Sequence, residues 1–174
     1  MSQTKQAKQD VRNLKSLTRR AVRALERTAR SLRRRGRDVL VANRGWDGPD
    51  PKANEKLADR VANAAESLDS CLDELSTRAL VRQRDPGVKE TRWTRYARKC
   101  ERVAGRALKT LGELHDELEE GNWTDALRLA RRGGRDIAQR LDMLALAKPV
   151  AKVEAPAPVA QPPVVPPTTS EHAA

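Results

Sequence analysis

The sequence predicts an all-α fold, an antiparallel, up-down-up-down four-helix bundle of long helices with a disordered Pro/Ala/Val-rich C-terminal tail. Three observations predict it. Aromatics make up only 2% of the 174 residues and Phe is absent, so strands would lack the side chains they favour. Seven of the ten prolines fall after position 148, which leaves the body almost free of helix breakers. Between a few turn-rich points, apolar residues recur every three or four positions, the spacing of one buried helix face.

The first segment, about 4–42, carries Val11, Leu14, Val22, Leu25, Ala29, Leu32 and Val39. Its stripe is the loosest of the four. It stops in a turn-rich loop, Asn43 to Pro51, within which Asp50-Pro51 reads as an N-cap followed by proline at the first helical position. The second segment, 51–84, carries Leu57, Val61, Ala64, Leu68, Cys71 and Leu75 in unbroken 4-3 alternation. Asp85-Pro86 repeats the start signature and predicts a third helix over 86–120, with Trp93, Tyr96, Cys100, Val103, Ala107, Leu111, Leu114 and Leu118 as its stripe. Gly121-Asn122 reads as a helix stop followed by a new cap, with Asp125 as an acid in the next first turn. The fourth helix, 122–147, presents Trp123, Leu127, Ala130, Gly134, Ile137, Leu141 and Leu144. Residues 1–147 therefore make one bundle domain, and 148–174 a tail too poor in bulky side chains to build a core.

The second and third helices can be placed in register. Leu75 with Tyr96, Cys71 with Cys100, Leu68 with Val103, Ala64 with Ala107 and Leu57 with Leu114 all have residue numbers that sum to 171, as a hairpin folded about Asp85 requires. This puts both cysteines in one layer. Facing helices stand about 8–10 Å apart, generally too far for a disulfide, so the pair reads as two small hydrophobes.

The charge is more informative than the motifs. Net charge is +11, and residues 1–45 alone hold fourteen Lys/Arg against three acids, a local +11. Arg12, Lys15, Arg19, Arg23, Arg27, Arg30, Arg34 and Arg37 recur at helical spacing and predict a ridge along one helix face. A second ridge, Arg92, Arg95, Lys99, Arg102, Arg106 and Lys109, runs along the first half of the third helix. The second helix is the acidic one, with Glu55, Asp59, Glu66, Asp69 and Asp73. A charged face is often only solvated, and the arginines of the first helix could pair with these acids. The second segment's own basic residues leave too few acids to absorb the excess.

Catalytic chemistry has no visible vehicle. His115 and His172 are the only histidines, so a Ser-His-Asp or Cys-His set cannot be assembled, and there is no Gly-rich phosphate loop. The acidic run Glu113, Asp116, Glu117, Glu119 and Glu120 around His115 lacks the Glu-x-x-His pairs of carboxylate-bridged metal bundles. It reads instead as a salt-bridge partner for Arg33 to Arg37. The chain is expected to be no enzyme and to need no cofactor or metal. The polar first ten residues and the lack of a long apolar run argue against export and membrane insertion. Two thiols suit a reducing cytoplasm.

Cations one helical turn apart suit a polyanion, and arginine is the stronger phosphate ligand. The expected function is binding of nucleic acid, DNA or RNA, through its phosphates with little sequence preference. The basic and aromatic residues interleaved from Thr91 to Lys99 could add base stacking, although the tryptophans read more simply as plugs at the ends of a narrow core. The competing expectation is a structural or adaptor protein whose basic face or tail docks an acidic protein partner, as in phage assembly or host-factor modulation. A homo-oligomer is compatible with either.

Overall fold

A computed structural model describes residues 3–41, 51–83 and 91–149. They form four α-helices, α1 (Gln3–Val41), α2 (Pro51–Gln83), α3 (Arg92–Glu119) and α4 (Trp123–Leu146). Trp46, the Asp50 cap, Asp85-Pro86 and the tail from residue 150, including His172, lie outside the described residues.

α1 is the centre of the bundle, not its loosest member. It buries Ala7, Val11, Leu14, Thr18, Ala21, Leu25, Thr28 and Leu32, an unbroken 4-3 alternation that counting only large apolar residues conceals. Thr18 passes as a core residue because its hydroxyl donates back to the Leu14 carbonyl at 2.7 Å, which removes the cost of burying it. Each fully buried leucine in this stripe contributes about 1.5–3 kcal/mol through burial.

Packing follows from side-chain size. α1 and α3 each touch all three other helices, whereas α2 and α4 do not meet. In cross-section the bundle is a rhombus with α1 and α3 on its short diagonal. Small residues on the buried faces of both, including Ala7 and Ala21 on α1 and Ala97, Cys100, Ala104 and Ala107 on α3, permit that close approach. The contacts Lys8–Trp93 and Lys15–Tyr96 run in the same sense along both helices, so α1 and α3 are parallel. Asp10–Arg78, Asn54–Leu118 and Tyr96–Leu144 set the remaining neighbours antiparallel. The up-down-up-down order holds.

Several local expectations need correction. α3 starts at Arg92, not at Pro86: Thr91 is the N-cap, its hydroxyl accepting from the Thr94 amide at 3.1 Å. Gly87, one residue beyond the proline, makes an earlier start costly. In the α2–α3 layers Ala104 takes the fully buried position and Val103 is only partly buried, although the Asn54 amide bonded to the Leu118 carbonyl at 3.1 Å lies within one residue of the expected register. Gly121 does stop α3, at φ 77°, and the Asn122 amide reaches the Glu117 carbonyl at 2.9 Å in a Schellman closure. Asn122 occupies the N-cap position of α4, yet its side chain makes no capping bond and donates to Glu120 instead.

Candidate polyanion-binding surface

The buried stripe of α1 fixes where its cations point. Arg12, Arg19, Arg23, Arg27, Arg30 and Arg34 are all exposed, on the helix face turned away from α3. Among the described residues, Arg12, Arg19, Arg23, Arg27 and Arg34 lie within 4.0 Å of no carboxylate, and Arg30 only just reaches Glu26 at 4.0 Å. The expected alternative, neutralisation by α2, does not occur in the described residues. The ion pair that joins α1 to α2 has the opposite polarity, with Asp10 on α1 accepting from Arg78 on α2 at 2.8 Å. From Arg12 to Arg34 the row extends about 33 Å.

Two grooves flank this row. On the α4 side Arg12, Arg19 and Arg23 stand over an apolar floor that includes Val22, Ala138 and Leu141, with Glu26 and Asp142 as the acids. On the α2 side Arg20, Arg23 and Arg27 meet Lys56 and Arg60 across the groove, against Asp59 and Glu66. Arg20, Lys56 and Arg60 are additions that the sequence reading missed. The signal was present in the four-residue spacing of Lys56 and Arg60, but the acidic total of the second helix concealed it.

Not every candidate is available. Lys15 is half-buried, donating to the Tyr96 hydroxyl, which in turn donates to the Leu144 carbonyl, both at 2.5 Å. It ties α1 to α3 and, through Tyr96, to α4. Arg106 is 3.7 Å from Asp136. The Asp136 carboxyl is held below the usual carboxylate range, chiefly by the hydrogen bond from Arg140 and then by the charges of Arg140 and Arg106. The side chain of Arg37 lies outside the described residues.

On α3, Arg92, Arg95, Lys99 and Arg102 are exposed, and among the described residues none of them is ion-paired. They do not join the α1 row. The two groups lie on the two flanks of α4: Arg12, Arg19 and Arg23 border it at Ala138 and Leu141, and Lys99 and Arg102 border it at Met143 and Leu144.

The aromatic residues between these cations serve the core. Tyr96 is buried, and Trp93 meets it edge-on with ring centroids 5.9 Å apart. Lys8 covers the Trp93 ring at 5.2 Å. Trp123 is partly buried against the core. The acidic end of α3 also differs from expectation. Glu113 pairs with Lys109 at 3.6 Å, and Glu119 lies 3.8 Å from half-buried His115. Among the described residues Arg33, Arg34 and Arg35 make no ion pair with this run, and the side chain of Arg37 lies outside them.

Cys71 and Cys100 are both free thiols. Burial pushes the Cys100 thiol up to about 11, and burial followed by the Glu74 and Asp10 carboxylates raises Cys71. Neither is a poised nucleophile. Among the described residues no group of His, Cys, Asp or Glu could hold a metal ion, and no helix is long and apolar enough to cross a membrane. No protein-family model, curated protein or solved structure matches this chain. The reading of its function rests on the surface itself.

Proposed function

We propose that this protein is a non-enzymatic bundle that holds nucleic acid by its phosphates, with little sequence preference, in a reducing cytoplasmic setting. The observation that carries the reading is that, among the described residues, Arg12, Arg19, Arg23, Arg27 and Arg34 of the α1 row have no carboxylate within 4.0 Å, although α2 lies alongside. Asp59 and Glu66 of α2 lie along the same groove without pairing with these arginines among the described residues. The row instead keeps its cations available. Its length of about 33 Å approximates one turn of duplex. A straight helix laid across the backbone would offer its guanidinium groups to phosphates along the row. The contacts would position the chain without specifying sequence.

The test is a salt titration of duplex binding by fluorescence anisotropy. Neutralising roughly five to seven phosphates makes log K fall with log salt at a slope of about −4 to −6. Replacing Arg19, Arg23, Arg27 and Arg34 together with Gln should weaken binding to every duplex and flatten the slope by up to about four units. These positions are exposed, so the circular dichroism spectrum should not change. An affinity and slope unaltered in the quadruple variant would rule the reading out. Tight binding of an acidic protein without any binding of duplex at ~50 mM salt would favour the adaptor role instead.

A further inference from the structure

The two grooves beside the arginine row differ in their second wall. On the α4 side that wall is lined by Ala138, Leu141, Asp142 and Ala145, an acid and no base. On the α2 side it brings Lys56 and Arg60 to face Arg20, Arg23 and Arg27. We propose that one sugar-phosphate strand of the bound nucleic acid runs along the α1–α2 groove, its phosphates held from both walls by these side chains, an inference that rests on the nucleic-acid reading above.

The placement follows from the helix register. Asp10 on α1, bonded to Arg78 on α2, fixes the two antiparallel helices against each other and brings Arg27 close to the level of Arg60. Buried Ala24 and Ala64 form the floor between them, and their small side chains leave the walls standing clear of it. Arg20, Arg23, Arg27, Lys56 and Arg60 are all exposed. Among the described residues none of them lies within 4.0 Å of a carboxylate, although Asp59 and Glu66 line the same groove.

Like charges on facing walls cost stability. Arg23 and Arg27 are four residues apart on one helix, as are Lys56 and Arg60 on the other, a spacing at which like charges repel along a helix. Packing α1 against α2 adds repulsion across the groove. A line of anions between the walls turns each of these cations from a liability into a contact. A compact anion would not reach them all, because they extend about 10 Å along α1 and about 6 Å along α2. A strand that advances about 3.4 Å per nucleotide places about three phosphates in that length. The charge available is of the same size, five cations against two carboxylates. The α1 row continues past the groove through Arg30 and Arg34, so the strand has cations to follow where it leaves.

Anisotropy titrations of a labelled duplex across ~50–300 mM salt test this with the full chain. R20Q/K56Q/R60Q removes groove cations and leaves Arg19, Arg23, Arg27 and Arg34 in place. It should weaken binding about tenfold and flatten the slope of log K against log salt by about two to three units. Its melting temperature should not fall, since repulsion between the walls is relieved. R131Q/R132Q/R135Q removes the same charge from exposed positions of α4. It should weaken binding no more than about threefold, through the general field of the protein. D59N/E66Q takes both carboxylates out of the groove and should tighten binding several-fold. An α4 variant that loses as much as the groove variant would overturn the proposal, because the strand would then have no preferred seat. A groove variant with the affinity and slope of wild type would overturn it as well. If R19Q/R23Q/R27Q/R34Q still lost binding, the phosphate reading would stand with the strand placed elsewhere on the row. Failure of wild type to bind any duplex would remove both.

Discussion

Asp10 and Arg78 form the ion pair that joins α1 to α2: the Asp10 carboxylate is 4% exposed and accepts from the Arg78 guanidinium at 2.8 Å. The most basic helix in the chain thus offers α2 an acid. Gln6 donates to the same carboxylate oxygen at 2.9 Å, and Glu74 holds the other arm of Arg78. Removing Asp10 leaves Arg78 with its i−4 partner alone.

A double-mutant cycle with Asp10→Ala and Arg78→Ala should give a coupling of about 1–2 kcal/mol in urea unfolding. The exposed pair Arg128–Asp125, though shorter at 2.6 Å, should give less than about 0.5 kcal/mol. The first coupling should persist at high salt and the second should vanish. Equal couplings would mean that burial of Asp10 does not set the strength of the pair.

Thr28 is fully buried and its hydroxyl has no partner. Thr28→Val keeps the shape and removes the unsatisfied group, so it should raise stability by about 1 kcal/mol. Thr18→Val deletes a hydroxyl that is already bonded to Leu14 and should be close to neutral. Thermal melts of the two variants distinguish them, and the reverse ranking would contradict the account of α1 packing.

The glycines of α3 and α4 respond differently to the same substitution. A Cβ on Gly133 would sit 2.4 Å from the Thr110 methyl, whereas one on Gly105 or Gly112 meets nothing within 4 Å. Gly105→Ala and Gly112→Ala should each stabilise by about 0.5–1 kcal/mol through helix propensity. Gly133→Ala should destabilise by about 1 kcal/mol, because Thr110 must leave its rotamer and its bond to the Arg106 carbonyl. Thr110→Ser removes the methyl and keeps the hydroxyl, so Gly133→Ala should become stabilising in that background. Urea midpoints for the four single variants and the Thr110→Ser/Gly133→Ala double variant decide it.

The Cys100 thiol makes stability depend on alkaline pH. Its folded value, about 11, lies above the unfolded value of about 8.5, so the folded state holds the proton more tightly. The contribution is therefore complete below pH ~8.5 and is lost as pH rises toward about 11. Unfolding free energy should fall over this window by up to about 3 kcal/mol, and Cys100→Ala should remove that part of the decline. Alkylation of Cys100 at pH ~8 should require unfolding. Identical pH profiles for wild type and Cys100→Ala would show that burial does not perturb the thiol.

The bundle was legible in the sequence because heptad spacing and punctuation are local properties. α2, α3 and α4 each carried their stripe in plain apolar residues. α1 did not, since Thr18 and Thr28 occupy core positions that hydropathy assigns to the surface. The start of α3 was misplaced because Asp85-Pro86 resembles a helix start more strongly than Thr91, whose role depends on the amide it meets at Thr94. The arginine row was legible for the same reason as the stripes. Which cations are already engaged was not: Lys15 depends on Tyr96, 81 positions away, and Arg106 on Asp136 in another helix.

The central position of α1 also has a cost in time. Its buried face is completed mainly by α3 and α4, and residues 42–91 separate it from the first turn of α3. At about 5–20 residues per second of synthesis, α1 waits several seconds for its main partner. During that interval the leucines of α1 have only α2 to pack against, and most of its buried face waits for the second half of the chain.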